Sequence, residues 1–327
     1  MGTIATIAWV SYHRRTELLA EHLGSTLHFV SAGRQGDLLR LPWRYLVQTR
    51  RTWSILVRER PDVILVQNPP IFLALVVWAF CRSHGGGYVI DSHTGAFVSP
   101  GWARTLWLHR LLSHSALTTL VHNVHQEDIV ARWGCPHFLL AYTPGDFSVS
   151  EPVSLGNGFN VAVISSFRED EPTDAVFLAA HRCPDVQFYF TGNPHILGTE
   201  VLAQKPKNCH LLGYLPYRRY VGLLRAADAV MTLTTRDHTL LMGGFETLSI
   251  GKPLITSDWP VLRDYFYLGT AHVHNTPADI AEGVRAVQAD HAKLQRDILT
   301  LRDIRDEEWR QKIEEIRSVM WQGTTSG

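Results

Sequence analysis

MGGFETLSIGKPLIT, residues 242–256, places two glycines, one carboxylate and a short helical pattern ahead of Gly-Lys-Pro and an apolar run. Such a piece is awkward as core and apt for holding a nucleotide. Free N–H groups at a helix start attract phosphate. Glycine lets the backbone approach a ligand closely, and the helix dipole favours an acid in the first turn. The expected order is a strand (229–234), a ligand-facing loop (236–246), a helix over about 245–251 with Glu246 in its first turn, and a strand from 252. Met242, Gly243, Gly244, Glu246 and Thr247 are the candidate nucleotide-binding residues. The alternative is that Glu246 only starts a helix and the glycines only make a turn.

Outward from this stretch, short apolar runs alternate with amphipathic segments along the whole chain. Residues 3–10, 62–67, 87–91 and 116–121 read as buried parallel strands. A second set follows at 159–165, 186–192, 209–213, 229–234, 252–257 and 271–274. Between the sets, 142–159 is rich in Gly and Pro and lacks helical periodicity, so it reads as a linker. Asn123 is placed to cap a helix that ends near Gly134 and Pro136. A long charged helical pattern covers about 278–321, and 322–327 reads as a frayed tail. The expected fold is α/β, with two Rossmann-like doubly wound domains facing each other across a crevice. Expected boundaries are 1–145, 146–305 and a terminal helix at 306–321.

The totals agree with this division. At 327 residues the chain is long for one core. Thirty-one basic residues balance 31 acidic ones, which leaves no bulk grip on nucleic acid, so any anion must be held locally. Cys81, Cys135, Cys183 and Cys209 form no C-x-x-C pair; a reducing cytoplasm is expected, and a zinc or disulfide framework is not. The N-terminus lacks the basic region of a signal peptide. Residues 71–81 are too few to span a bilayer and read as a buried helix.

Residues 223–258, LLRAADAVMTLTTRDHTLLMGGFETLSIGKPLITSD, resemble the donor-site segment of GT-B glycosyltransferases of the group 1 (family 4-like) kind. Glu246, Gly251 and Pro253 match its Glu…Gly-x-Pro pattern. Residues 188–228 match the preceding strands, including Gly192 at a phosphate-side loop. The resemblance implies that Glu246 binds the nucleotide ribose. The acid expected eight positions before Glu246, with seven residues between, is replaced by His238, which breaks the paired-acid motif near the donor sugar. VQNPPIFLALVVWAFCRSHGGGYVIDSHTGAF (66–97) and ISSFREDEP (164–172, with Ser166) are locally similar to the dolichol-pathway chitobiosyldiphosphodolichol β-mannosyltransferases. That similarity implies an inverting enzyme. It also implies a nucleoside-diphosphate sugar of GDP or UDP type as donor and a lipid-linked or polysaccharide-repeat glycan as acceptor. GT-B enzymes of this kind imply no metal and no cofactor, and a terminal helix packing back on the N-terminal domain.

Asp91 and His93 sit at a strand's carboxyl end, where an inverting transferase needs a base for the acceptor hydroxyl; alternatively, Asp91 caps a turn and His93 bonds locally. His13 and Arg14, after the first strand, are candidate acceptor-side residues that with Arg15 could face an acceptor phosphate, while Arg14 and Arg15 also read as solvated first-turn charges. Arg168 is placed to stabilise the leaving diphosphate, where charge develops. HNVH (122–125) has no third metal ligand at an obvious spacing. Residues 40–60 combine Trp43, Trp53 and several arginines, as in a helix lying on an anionic membrane, or as in an ordinary outer helix. Two other functions fit the same fold: a nucleotide-sugar epimerase, and a non-catalytic partner subunit of a glycosyltransferase complex.

Overall fold

The computed structural model describes residues 2–33, 40–141, 144–203 and 205–322. Contacts divide the chain into unit 1, residues 1–143 with 308–327, and unit 2, residues 144–307.

Unit 1 runs β1 (Ile4–Ala8), α1 (Arg14–Leu23), β2 (Thr26–Phe29), α2 (Leu41–Glu59), β3 (Val63–Asn68), α3 (Ile71–His84), β4 (Gly87–Ser92), α4 (Thr94–Val98), α5 (Pro100–Ala103), α6 (Leu106–Ser115), β5 (Thr118–Val121), α7 (Val124–Ala131) and β6 (His137–Leu139). Its parallel sheet has the order β2-β1-β3-β4-β5-β6. β1, β3 and β5 are buried along their length because helices cover both sheet faces, hence their Val, Ile and Leu content. The chain steps from β1 to β2, then back across β1 to β3. Strand direction of travel therefore reverses between β1 and β3, and ligands bind at such a switch point. Asn123 caps α7 by accepting from Gln126 N–H, and Gly134 follows with φ +74°.

Unit 2 runs β7 (Phe159–Val163), α8 (Thr173–Arg182), β8 (Val186–Thr191), α9 (Thr199–Ala203), β9 (Cys209–Gly213), α10 (Tyr217–Ala226), β10 (Ala229–Thr232), α11 (Met242–Ile250), β11 (Leu254–Ser257), α12 (Pro260–Tyr265), β12 (Thr270–Val273), α13 (Pro277–Ala289) and α14 (His291–Gln322). The sheet order is β12-β11-β10-β7-β8-β9, all parallel, with its switch point between β7 and β10. Its core is built from the inner faces of β7, β8, α8 and α13, with Phe188, Phe190, Val176 and Val284 buried.

Three features differ from the sequence expectation: the edge strands, the continuity of the charged pattern over 278–321, and the packing of 144–158. β2 and β6 are half-exposed strands of four and three residues without an apolar run, so only their pairing with β1 and β5 defines them. The charged pattern over 278–321 breaks at Asp290 into α13 and α14. The last part of α14 counts with unit 1, where Lys312 Nζ donates to the Leu139 carbonyl at 2.8 Å and Trp309 meets the His22 ring. The stretch 144–158 forms no helix or strand, yet it is packed: Phe147 is buried and its carbonyl accepts from Arg225. Residues 142–143 of the expected linker and 323–327 of the expected tail lie outside the described residues.

Candidate functional site

In unit 1 the carboxyl ends of β3, β4 and β5 are polar: Gln67 and Asn68, Asp91 and Ser92, then His122. Parallel register sets Gln67 beside Asp91 and Asn68 beside Ser92. Asp91 is buried at the centre. Its Oδ2 lies 3.1 Å from His93 Nε2, and its Oδ1 lies 2.9 Å from His122 Nε2. Arg15 reaches in from α1 to 3.7 Å of Oδ1 and donates to the carbonyls of Leu140 and Ala141 at 2.5 and 2.9 Å. His13 caps α1; its Nδ1 accepts from Thr16 N–H at 3.4 Å, and its ring stands edge-on to His93 at 4.6 Å. Thr16 Oγ1 also donates to Gln67 Oε1 at 3.1 Å. His13, Asp91 and His93 thus meet, while Arg14 pairs with Glu17 at 2.6 Å instead.

Burial alone would raise the Asp91 carboxyl, but the charges of Arg15, His93 and His122 outweigh it and hold the group well below the usual carboxylate range. Asp91 is therefore an anion throughout the neutral range and a poor base. It serves as the anchor that accepts from both imidazoles and leaves Nδ1 of His93 as an acceptor. Burial, reinforced by Arg15 and His93, lowers His122 to about 3, and burial and His93 lower His13 to about 4. Ligand atoms of Asp91, His93 and His122 lie within 4.8 Å of one another, the set a divalent cation would use. The Arg15 guanidinium beside Asp91 opposes a dication there.

Two sequence readings are corrected in unit 1. Arg15 is not a solvated first-turn charge but buried, because it falls on the inward face of α1 with Leu18 and Leu19. Asp91 caps nothing; it is saturated by the imidazoles, and α4 starts at His93 without a side-chain cap.

In unit 2, α11 begins at Met242, so Gly243 and Gly244 are helical and Glu246 lies beyond the first turn. The glycines therefore do not form a turn. A Cβ on Gly244 would stand 2.7 Å from the Phe266 ring, and one on Gly243 3.0 Å from Thr232 Oγ1. Their purpose is close seating of α11 on β10 and its neighbours. Thr247 is buried and its hydroxyl returns to the Gly243 carbonyl at 2.6 Å. Glu246 is half-buried and accepts from the Tyr220 hydroxyl on α10. Burial and the Glu246 charge push the Tyr220 phenol well above its usual range, so it stays a donor. Gly251 ends α11 with φ +75°.

The loop after β7 carries Ser166 and Arg168. Glu171 folds back to accept from Ser166 N–H at 2.9 Å, Phe167 N–H at 2.9 Å and the hydroxyls of Ser165 and Ser166. Arg168 is exposed. This loop meets the one after β10, where Thr235 N–H donates to the Asp170 carbonyl at 2.7 Å. His238, in that second loop, is exposed with φ +55° and lies 3.3 Å from Asp237. Gly192 ends β8 at φ +86°, and a Cβ there would stand 2.3 Å from the Ser165 carbonyl oxygen. Gly192→Ala should therefore cost about 3 kcal/mol or more, through left-handed strain and a backbone collision. Thermal melts of the purified variant check this; an unchanged midpoint would refute the constraint.

Sequence reasoning gave His122 no role beside Asp91, read Arg15 as an acceptor-facing or solvated charge, and did not single out Tyr220. The polar residues closing three adjacent strands were the available signal for His122. Arg15 was signalled by its spacing to Leu18 and Leu19. Tyr220 had none, since only folding brings α10 against α11.

A family model described as glycosyl transferase-like matches residues 171–315. No curated protein matches the chain in sequence. Sucrose-phosphate synthase from Thermosynechococcus elongatus is similar in structure, with TM-score 0.73 and 12% identity over 98% of this chain and 100% of that one. HepE of Anabaena, seen with UDP and glucose, gives 0.73 and 13% over 97% and 100%. A glycosyltransferase from Rickettsia africae gives 0.75 and 9% over 98% and 99%. Identities this low speak to fold. The chain has the two-Rossmann fold of the GT-B glycosyltransferases, and its glycosyl transferase-like segment covers most of unit 2.

Proposed function

We propose that this protein is a glycosyltransferase that moves a sugar from a nucleoside diphosphate to an acceptor hydroxyl. The observation that carries the reading is α11 within the matched segment, with Glu246 held by Tyr220 at the carboxyl side of the sheet. A carboxylate oriented by a phenol is the acceptor type that vicinal ribose hydroxyls need. The start of α11, whose N-cap Leu241 offers no side-chain acceptor, suits the diphosphate. HepE, a protein of the same fold, binds UDP and UDP-glucose, which supports a nucleotide-sugar donor of UDP or GDP type. In unit 1, His93 is the base for the acceptor hydroxyl and Asp91 sets its tautomer and orientation, as inversion requires. A lipid-linked or polysaccharide-repeat glycan as acceptor is supported by the resemblance of residues 66–97.

Titration calorimetry with UDP, GDP and their sugars tests the donor half. One nucleotide should bind, and Glu246→Ala should weaken it about 10- to 100-fold, the worth of a charge-assisted hydrogen-bond pair. Equal affinity in the variant would remove Glu246 from the site. Conversion of a nucleotide sugar without acceptor would favour an epimerase, as in the Listeria monocytogenes protein described as a putative UDP-N-acetylglucosamine 2-epimerase, whose TM-score is 0.59. Binding of no nucleotide would favour the non-catalytic partner subunit.

A further inference from the structure

We propose that the outer surface of the α2–α3–α6 layer in unit 1 docks on a bilayer containing anionic lipid. Right-handed crossovers place α2, α3 and α6 on one face of the sheet, and α3 touches both of the others. α2 buries Gln48, Thr52 and Leu56 toward the sheet. Its opposite side carries Trp43, Leu46, Arg50 and Val57, spaced i, i+3, i+7 and i+14, so they share one stripe. Trp43 is 55% exposed and Leu46 60%. On α6, Trp107 is 69% and Leu111 58% exposed, one turn apart. The floor between them is the half-buried face of α3, Phe72, Leu75, Val76 and Ala79. Tilted and edge-on ring contacts join neighbouring helices: Tyr45 of α2 lies 5.2 Å from Phe72 of α3, and Phe72 6.1 Å from Trp102 of α5.

Soluble proteins rarely leave so many large apolar side chains together in water. The charge around them is one-sided. Arg50, Arg51, Arg104 and Arg110 are exposed. Among the described residues the helices α2 to α6 hold one acid, Glu59, which is taken up by His28 at 2.8 Å and Arg58 at 2.9 Å. In a chain of zero net charge this is a local basic face. Tryptophans at headgroup depth with arginines beside them are what an in-plane amphipathic surface presents to anionic lipid. A second copy packed by two-fold symmetry would set arginines against arginines, so the bilayer is the better complement. The sequence pointed to residues 40–60 alone; the fold adds α3 and α6. The inference is independent of the reaction.

Vesicle flotation of the full chain tests it, with phosphatidylcholine alone and with phosphatidylglycerol added. The protein should float with the anionic vesicles only, and release should follow rising salt as screening shortens. Arg50→Glu/Arg104→Glu/Arg110→Glu should lower partitioning more than tenfold, since each basic side chain near such a surface is worth roughly fivefold. Trp107→Ser/Leu111→Ser should lower it with the melting midpoint unchanged, because both side chains are exposed. No flotation of the parent protein, or equal flotation of the variants, overturns the proposal. So does a dimer in sedimentation velocity that Trp107→Ser/Leu111→Ser dissolves while vesicles bind nothing.

Discussion

His93→Ala is expected to lower the rate of sugar transfer about 10²- to 10⁴-fold at saturating donor, the usual worth of a positioned general base. Nucleotide affinity should stay within twofold, because the residues proposed to hold the nucleotide belong to unit 2 and His93 to unit 1. That split, turnover lost and binding kept, distinguishes a base from a structural residue. The physical ground is the Asp91 carboxylate. It faces Nε2 of His93 at 3.1 Å and stays ionised beside Arg15. Its accepted hydrogen bond keeps the proton on Nε2 and the lone pair on Nδ1. Asp91→Asn should also lose turnover, but with a stability cost of about 3–5 kcal/mol, since it removes the buried carboxylate charge 3.7 Å from the buried Arg15 guanidinium. Rates of transfer measured across pH for both variants check the assignment; full turnover in His93→Ala would transfer the base role elsewhere.

Acidification is expected to destabilise unit 1 steeply. Burial lowers His109 to about 3, burial with Arg15 and His93 lowers His122 to about 3, and burial with His93 lowers His13 to about 4. All three are neutral when folded at pH 5. In the unfolded chain each titrates near its ordinary value of 6.5. Between those values the unfolded state binds more protons, so stability falls as pH drops below about 6.5. At pH 5 the loss is on the order of 2 kcal/mol per histidine. For a unit of this size that amounts to a fall of roughly 10 °C or more in the melting midpoint between pH 7 and 5. His109 carries its share away from the reaction, where its Nε2 meets Ser92 Oγ at 2.8 Å and Asn68 Nδ2 at 3.3 Å. Calorimetric scans from pH 8 to 4 check this; a flat profile would mean that these imidazoles can be protonated in place.

The core strands were legible because a parallel sheet covered on both faces demands unbroken apolar runs, and VILVQN or FNVAV admit few other readings. The edge strands β2 and β6 were not, since half-exposed THR-LEU-HIS-PHE and HIS-PHE-LEU carry no such demand. Asp91 and His93 were legible as polar residues closing a buried strand. Glu246 was visible as the lone acid of an apolar, glycine-bearing segment.

Local pattern thus determined the alternating architecture, the helix ends at Asn123 and Gly251, and which carboxylates and imidazoles merit attention. Tertiary structure decided what those groups do. Strand register and the switch point put His122 and Arg15 on Asp91, from positions 31 and 76 residues away from it in sequence. The approach of α10 to α11 gave Glu246 its phenol. Two apparent turn glycines are helical, and close seating against Thr232 and Phe266 explains them. Periodicity reports which side of an element is buried; a hydrogen bond between distant residues depends on how those elements are stacked, and that is a property of the whole fold.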